Sequence, residues 1–412
     1  MSNSEFGCSM GAMISRRSFL SLTARSATAT AGLTLAPPAA LAGFLPGAGD
    51  DLLRLAPKAR YWTTSALAGS HCAACHTSLP SAAAHTHDAT TIRCLLCAQH
   101  CDIRVGQRGK CRARMNVKGE LRSLVYGRPA AIHIDPIEKK PFYHFLPGSN
   151  ALSFGTSGCP LHCRFCQNWE LSQSTPGDLD APFTTAIDMA GAAASRRLPV
   201  IAFTYNEPTV FIEYLLDVAR AAQARGVRSV MVSCGFANEA PLADICGALA
   251  AVKIDLKGYS EEFYRTVCRA ELQPVLRSIR QVARSGRHLE LVNLVVPTLN
   301  DSEKSLQDLA TFVAGELGPD VPVHFTRFHP DYQLLNLPPT PVSTLERARD
   351  IAMAKGIRYA YVGNVPGHPG NHTYCPGCRK IVIKRDNFFV TEMHLKNGTC
   401  EFCKQPIAGV WK

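Results

Sequence analysis

The chain has 412 residues, 46% of them hydrophobic and 19% charged, with a formal net charge of +11. That is the composition of a soluble globular protein of two or three domains, and it excludes a disordered or fibrous chain. The charge is spread along the sequence without a block of one sign, which describes a solvated basic surface and gives no clear nucleic-acid footprint.

The first segment, residues 1–42, is a leader. Arg16 and Arg17 are followed by Phe19 and Leu20, a mildly apolar stretch and Ala40-Leu41-Ala42, the pattern of a twin-arginine-type signal. It predicts a periplasmic, exported protein, with a cytoplasmic location as the alternative. Arg25 and Pro37-Pro38 interrupt the stretch, so no membrane span is expected.

Of the seventeen cysteines, thirteen fall in clusters at metal-ligand spacings, which argues against a disulfide framework. In the region 43–150, rich in cysteine and histidine, Cys72, Cys75 and His76 form C-x2-C-H. That motif fits haem c attachment, or zinc when Cys72 and Cys75 are paired with Cys94 and Cys97. Cys94, Cys97, Cys101 and Cys111 make a set of four soft ligands with Gly106 and Gly109 to turn the loop. Such a set suits zinc or a closed iron–sulfur cluster, and structural zinc is the preferred reading. Cys234, Cys246 and Cys268 stand alone and read as small buried hydrophobes.

From 151 to 366, short apolar runs alternate with amphipathic stretches that end in glycine. The runs are LSFGTS, VIAFTY, VRSVMVS, VKIDLK, HLELVNLVV, VPVHFTRF and IRYAYVG. The alternation predicts an α/β fold with a parallel sheet, as an open or full β/α barrel. Ligands of such barrels sit at the carboxyl ends of the strands. Cys159, Cys163 and Cys166 follow the first run, Asn206 and Glu207 the second, Ser233 and Cys234 the third, and Asp255 and Lys257 close the fourth. Three thiolates leave one metal position open, as a reactive site needs and a structural one does not.

The segment 367–412 carries Cys375, Cys378, Cys400 and Cys403 as two C-x2-C pairs. It reads as a zinc-ribbon-like tail, held by metal because its core is small.

The blocks RCLLCAQHCDIRVGQRGKCRAR, GCPLHCRFCQNW, FTYNEPT, IDLKGY, LVVPTLND and HFTRFHPDY together resemble radical S-adenosylmethionine (SAM) enzymes of the AmmeMemoRadiSam system, relatives of the pyruvate formate-lyase activating enzymes. The resemblance implies a partial (β/α) barrel flanked by small cysteine-rich metal-binding segments. It implies a [4Fe–4S] cluster on Cys159, Cys163 and Cys166, beside the aromatic Phe165. On its open iron SAM is split by reduction into methionine and a 5′-deoxyadenosyl radical, which takes hydrogen from a substrate. By the same resemblance Asn206 and Glu207 meet the cofactor amino group and Lys257, beside Asp255, its carboxylate. Asn206-Glu207 departs from the family's Gly-Gly-Glu pattern, and His329 stands where a ribose-contacting histidine is expected. The implied partners are a low-potential electron donor and an unknown small-molecule or protein substrate, including a protein glycine as in glycyl-radical activation. The leader favours a different class, an exported iron–sulfur or haem electron-transfer or metal-binding protein without SAM cleavage.

Overall fold

In this computed structural model the described residues are 48–64 and 90–412. The leader, Arg16 and Arg17 included, and the Cys72, Cys75 and His76 motif lie outside them.

The sheet that organises the chain begins with β1, Ala131–Pro136, and β2, Asn150–Gly155. It continues with β3 (Val200–Phe203), β4 (Arg228–Ser233), β5 (Ala251–Asp255), β6 (His288–Val295), β7 (Val323–Arg327) and β8 (Ala360–Gly363). The strands lie in sequence order from β1 to β8, every neighbouring pair parallel except β1 with β2. β1 and β8 end the sheet without pairing to each other, so the architecture is the expected partial barrel. The seven parallel strands match the seven apolar runs. β1 extends the sheet upstream of residue 151, where the barrel was expected to start.

The runs read as they do because helices cover the sheet outside while the barrel closes over itself inside. All four residues of β3 are buried, as a parallel strand protected on both faces requires. The covering helices start where their caps dictate. α1, Ala186–Ser195, begins at Thr185, whose side chain accepts from Asp188 N at 3.1 Å. α2, Ile212–Gln223, buries Ile212, Leu215, Val218 and Ala222 against the strands.

Two cysteine-bearing segments pack on this frame. Residues 90–125 lie over the carboxyl end of β4, with Ala98 N donating to Phe236 O at 3.1 Å and Asn238 N to Leu96 O at 3.1 Å. The tail joins the two free edges of the sheet. Its Arg385, 3% exposed, donates to Tyr143 O at 2.8 Å and to Thr373 Oγ1 at 2.8 Å, and its Nε lies 3.7 Å from Glu138. His144, on the link between β1 and β2, lies 2.5 Å from Tyr361 of β8 and 2.5 Å from Ala408 O. Among the described residues no helix is long and apolar enough to cross a membrane.

Candidate active site and metal-binding cysteines

The loop after β2 is fixed from both sides. Gly155, which ends β2, packs so closely that a Cβ there would lie 2.5 Å from Thr204 O. Gly158 has φ +93° and would place a Cβ 2.2 Å from Cys111 O, so only glycine suits it. Farther on, His162 N and Arg164 N donate to Cys268 O and Val267 O at 3.1 and 3.0 Å. Cys159, Cys163 and Cys166 therefore project from a loop whose backbone is held at both ends.

All three thiols line one cavity of about 710 Å³ at the carboxyl ends of the strands. Burial pushes the Cys159 and Cys166 thiols up. Cys163 is held below its ordinary value by a hydrogen bond from the Cys268 thiol, with burial opposing and Lys257 assisting. Three sulfurs on one loop, with Cys163 buried and Cys159 and Cys166 half-buried, are a donor set for a soft metal centre, which deprotonates its own ligands.

The other predicted residues line the same cavity: Phe165, Asn206, Glu207, Asp255, Lys257 and His329. Glu207 is 2% exposed. Its Oε1 accepts from Thr209 N at 3.1 Å, Thr209 Oγ1 at 2.5 Å and Ser233 Oγ at 2.8 Å, while Oε2 accepts from Cys234 N at 2.7 Å, and the Cys234 thiol donates to the same carboxylate. Lys257 Nζ donates to Asp255 Oδ2 at 3.2 Å and lies 5.7 Å from the centre of the Phe165 ring. Burial acts against its charge, but Asp255 and the Cys163, Cys268 and Cys234 thiols push it well above the ordinary lysine range. Asp255 is held down to about 2: burial opposes its charge, and Lys253 and Lys257 outweigh burial. Lys257 is a permanent cation with N–H donors left for an anion.

Asn206 is also bonded to the loop after β2. Its Nδ2 donates to Thr156 Oγ1 at 3.1 Å and Gly158 O at 2.8 Å, and its Oδ1 accepts from Thr156 N at 3.1 Å. Both donors serve the loop that carries Cys159, so its amide helps to hold that loop. His329 is at the rim, its side chain 57% exposed, with Nδ1 3.2 Å from Gln167 Nε2.

Other residues at the site gave no sequence signal. Cys234 lines the cavity and Cys268 touches Cys163, so two singletons read as plain core are next to the three-cysteine loop. On the far wall, Lys140 Nζ donates to Asp135 Oδ2 at 2.7 Å, and Tyr205 OH donates to the same oxygen at 2.9 Å. Burial pulls Lys140 down to about 8, against Asp135.

The remaining cysteine sets differ in build. Cys375, Cys378, Cys400 and Cys403 gather their sulfurs within 4.8 Å of one another and can hold a metal ion. Cys375 and Cys403 are 3.5 Å apart, Cys378 and Cys400 3.7 Å. Cys94, Cys97, Cys101 and Cys111 surround a small cavity of their own.

The family pattern described as Radical SAM superfamily matches residues 154–310, from β2 into the helix after β6. An uncharacterized protein of Methanocaldococcus jannaschii is 39% identical over 322 residues, 78% of this chain and 96% of that protein. The chain belongs to the radical SAM superfamily. It is a radical SAM enzyme, similar also to the pyruvate formate-lyase-activating enzyme of Listeria monocytogenes serovar 1/2a, at 21% identity over 182 residues, 40% of this chain and 70% of that enzyme. A solved radical SAM methyltransferase from Sphaerobacter thermophilus aligns with TM-score 0.42 at 19% identity, over 53% of this chain and 67% of that one. Membership implies a [4Fe–4S] cluster and SAM, and the three thiols and the cavity they line fit both. A radical SAM enzyme also needs an electron donor and a substrate.

Proposed function

We propose that this enzyme cleaves SAM reductively at the Cys159, Cys163 and Cys166 site and uses the radical to take hydrogen from a substrate bound deeper in the same cavity. The observation that carries this reading is the convergence of the three thiols, Glu207 Oε2 and Lys257 Nζ on one 710 Å³ space. When bound, the cluster supplies the electron that splits SAM into methionine and a 5′-deoxyadenosyl radical.

The chain's own residues bind and orient. Lys257 Nζ offers N–H donors to the cofactor carboxylate, and Glu207 Oε2 accepts from its amino group. Phe165, stacked on Phe263 with ring centres 6.2 Å apart, keeps water from the cluster side of Lys257. The lining carries Lys139, Lys140, Lys253, Lys257 and Arg327 against Glu207 and Asp255, which favours a substrate with negative charge. A glycyl-radical activating role is the protein-substrate form of the same reaction, supported by the similarity to activating enzymes.

Two further parts belong to this proposal. The tail set is a zinc site, because a Zn–S bond of about 2.3 Å sets a tetrahedral S···S edge of about 3.8 Å, close to the 3.5 and 3.7 Å separations. The leader directs export, so changing Arg16 and Arg17 to Lys should retain the protein in the cytoplasm on fractionation.

Anaerobic reconstitution tests the central claim. Reduced protein supplied with SAM is expected to release 5′-deoxyadenosine, and Lys257→Met to lower that yield at least tenfold. Reduced, fully loaded protein that leaves SAM intact would overturn the reading.

A further inference from the structure

Cys94, Cys97, Cys101 and Cys111 line a cavity with Gly109, Pro160 and Arg114. The cavity admits a water-sized sphere. Four sulfurs at about 2.3 Å from one zinc ion leave no such room at their centre. Among the described residues only the tail set brings three or more such ligand atoms within 4.8 Å of one another. The four sulfurs here stand wider, as do those of Cys159, Cys163 and Cys166. In a cubane each thiolate binds a different iron, so wide separation is what the ligands of a [4Fe–4S] cluster need. The two open sets share this build, and the zinc-sized tail set does not.

A second observation is independent of the sulfurs. Arg114 is 0% exposed and lines the cavity, and its Nε is buried with no hydrogen-bond partner. The rest of its guanidinium is engaged, Nη1 donating to Arg60 O at 2.7 Å and Nη2 to Glu213 Oε1 at 2.5 Å. A buried N–H without an acceptor costs free energy, and a sulfur of a bound cluster would supply one. Backbone N–H groups already serve the thiols: Leu96 for Cys94, Gln99 for Cys97, Ala113 for Cys111, and Lys110 for Cys101 at 3.4 Å.

We propose that Cys94, Cys97, Cys101 and Cys111 ligate a second [4Fe–4S] cluster, closed by four thiolates, in place of the zinc expected from their spacing. With no open iron it binds neither SAM nor substrate. Its ligand loop touches that of the first site, Cys111 O packing on Gly158 and Gln99 Nε2 donating to Pro160 O at 2.9 Å.

The test uses the full chain with Cys159, Cys163 and Cys166 all changed to Ala, reconstituted anaerobically with iron and sulfide, so its outcome does not depend on SAM chemistry. The variant is expected to keep about half the iron and acid-labile sulfide of the parent, which carries about eight irons. Its reduced electron paramagnetic resonance signal should not change on adding SAM. Background iron and sulfide with two equivalents of zinc, one of them in the tail, would overturn the proposal. If that variant does not fold, the parent decides. SAM should then perturb only about half of its reduced-cluster signal, and about four irons in total, all responding, would overturn the proposal.

Discussion

Gly158 is a residue whose missing side chain carries structural weight. Its φ of +93° and the 2.2 Å approach a Cβ would make to Cys111 O set two separate demands, and the obstructing atom is backbone. Gly158→Ala should therefore destabilise the protein by about 2 kcal/mol in urea unfolding and lower the iron bound at the neighbouring Cys159 site. An alanine variant that loads iron and unfolds like the parent would show that the loop adapts. At this scale the sequence was informative where chemistry is borne by residue type and spacing. The three cysteines, Glu207 and Lys257 line one cavity as expected. It was silent where a role depends on which partner a side chain meets. The bonds from the Asn206 amide to Thr156 and Gly158 carry no sequence signal. Cys234 and Cys268 carry no spacing signal, since what brings them to the cluster loop is the curvature of the barrel.

At the scale of elements, the turn after β3 acts as a bracket. Asn206 ties it to the end of β2, and Glu207 ties it to Ser233 and Cys234 at the end of β4. The ends of consecutive strands are thereby fixed relative to one another before any cofactor arrives. Asn206→Ala would leave the Thr156 N–H and Gly158 carbonyl without these partners, at about 1–3 kcal/mol for each buried group. The expected outcome is unchanged secondary structure by circular dichroism with at least a tenfold lower yield of 5′-deoxyadenosine; full yield would mean that the bracket is dispensable. The seven parallel strands were legible because both of their faces are buried, which leaves continuous apolar runs. β1 was not: its residues AIHIDP are mostly half-buried, and an edge strand running antiparallel needs no apolar run.

At the scale of the whole molecule, the tail is a clasp between β8 and the link that follows β1. Its contacts join residues far apart in sequence, such as Arg385 with Tyr143 and His144 with Ala408, and no local pattern encodes them. The tail's cysteine spacing was legible; its docking was not. That docking carries a pH dependence. His144 Nδ1 donates to Ala408 O and Nε2 accepts from Tyr361, an arrangement that requires the neutral ring. Burial holds His144 down to about 3, with Glu290 opposing, whereas an unfolded histidine takes its proton near 6.5. Between those values the unfolded chain binds the extra proton. Stability is then complete above about pH 6.5 and falls as the pH drops toward 3, with a slope approaching about 1.4 kcal/mol per pH unit for this one group. His324, lowered by burial, acts in the same direction. The urea midpoint should fall between pH 7 and pH 5, and His144→Gln, neutral at both, should start lower and fall less steeply. Parallel slopes in the parent and the variant would place the acid sensitivity outside the clasp.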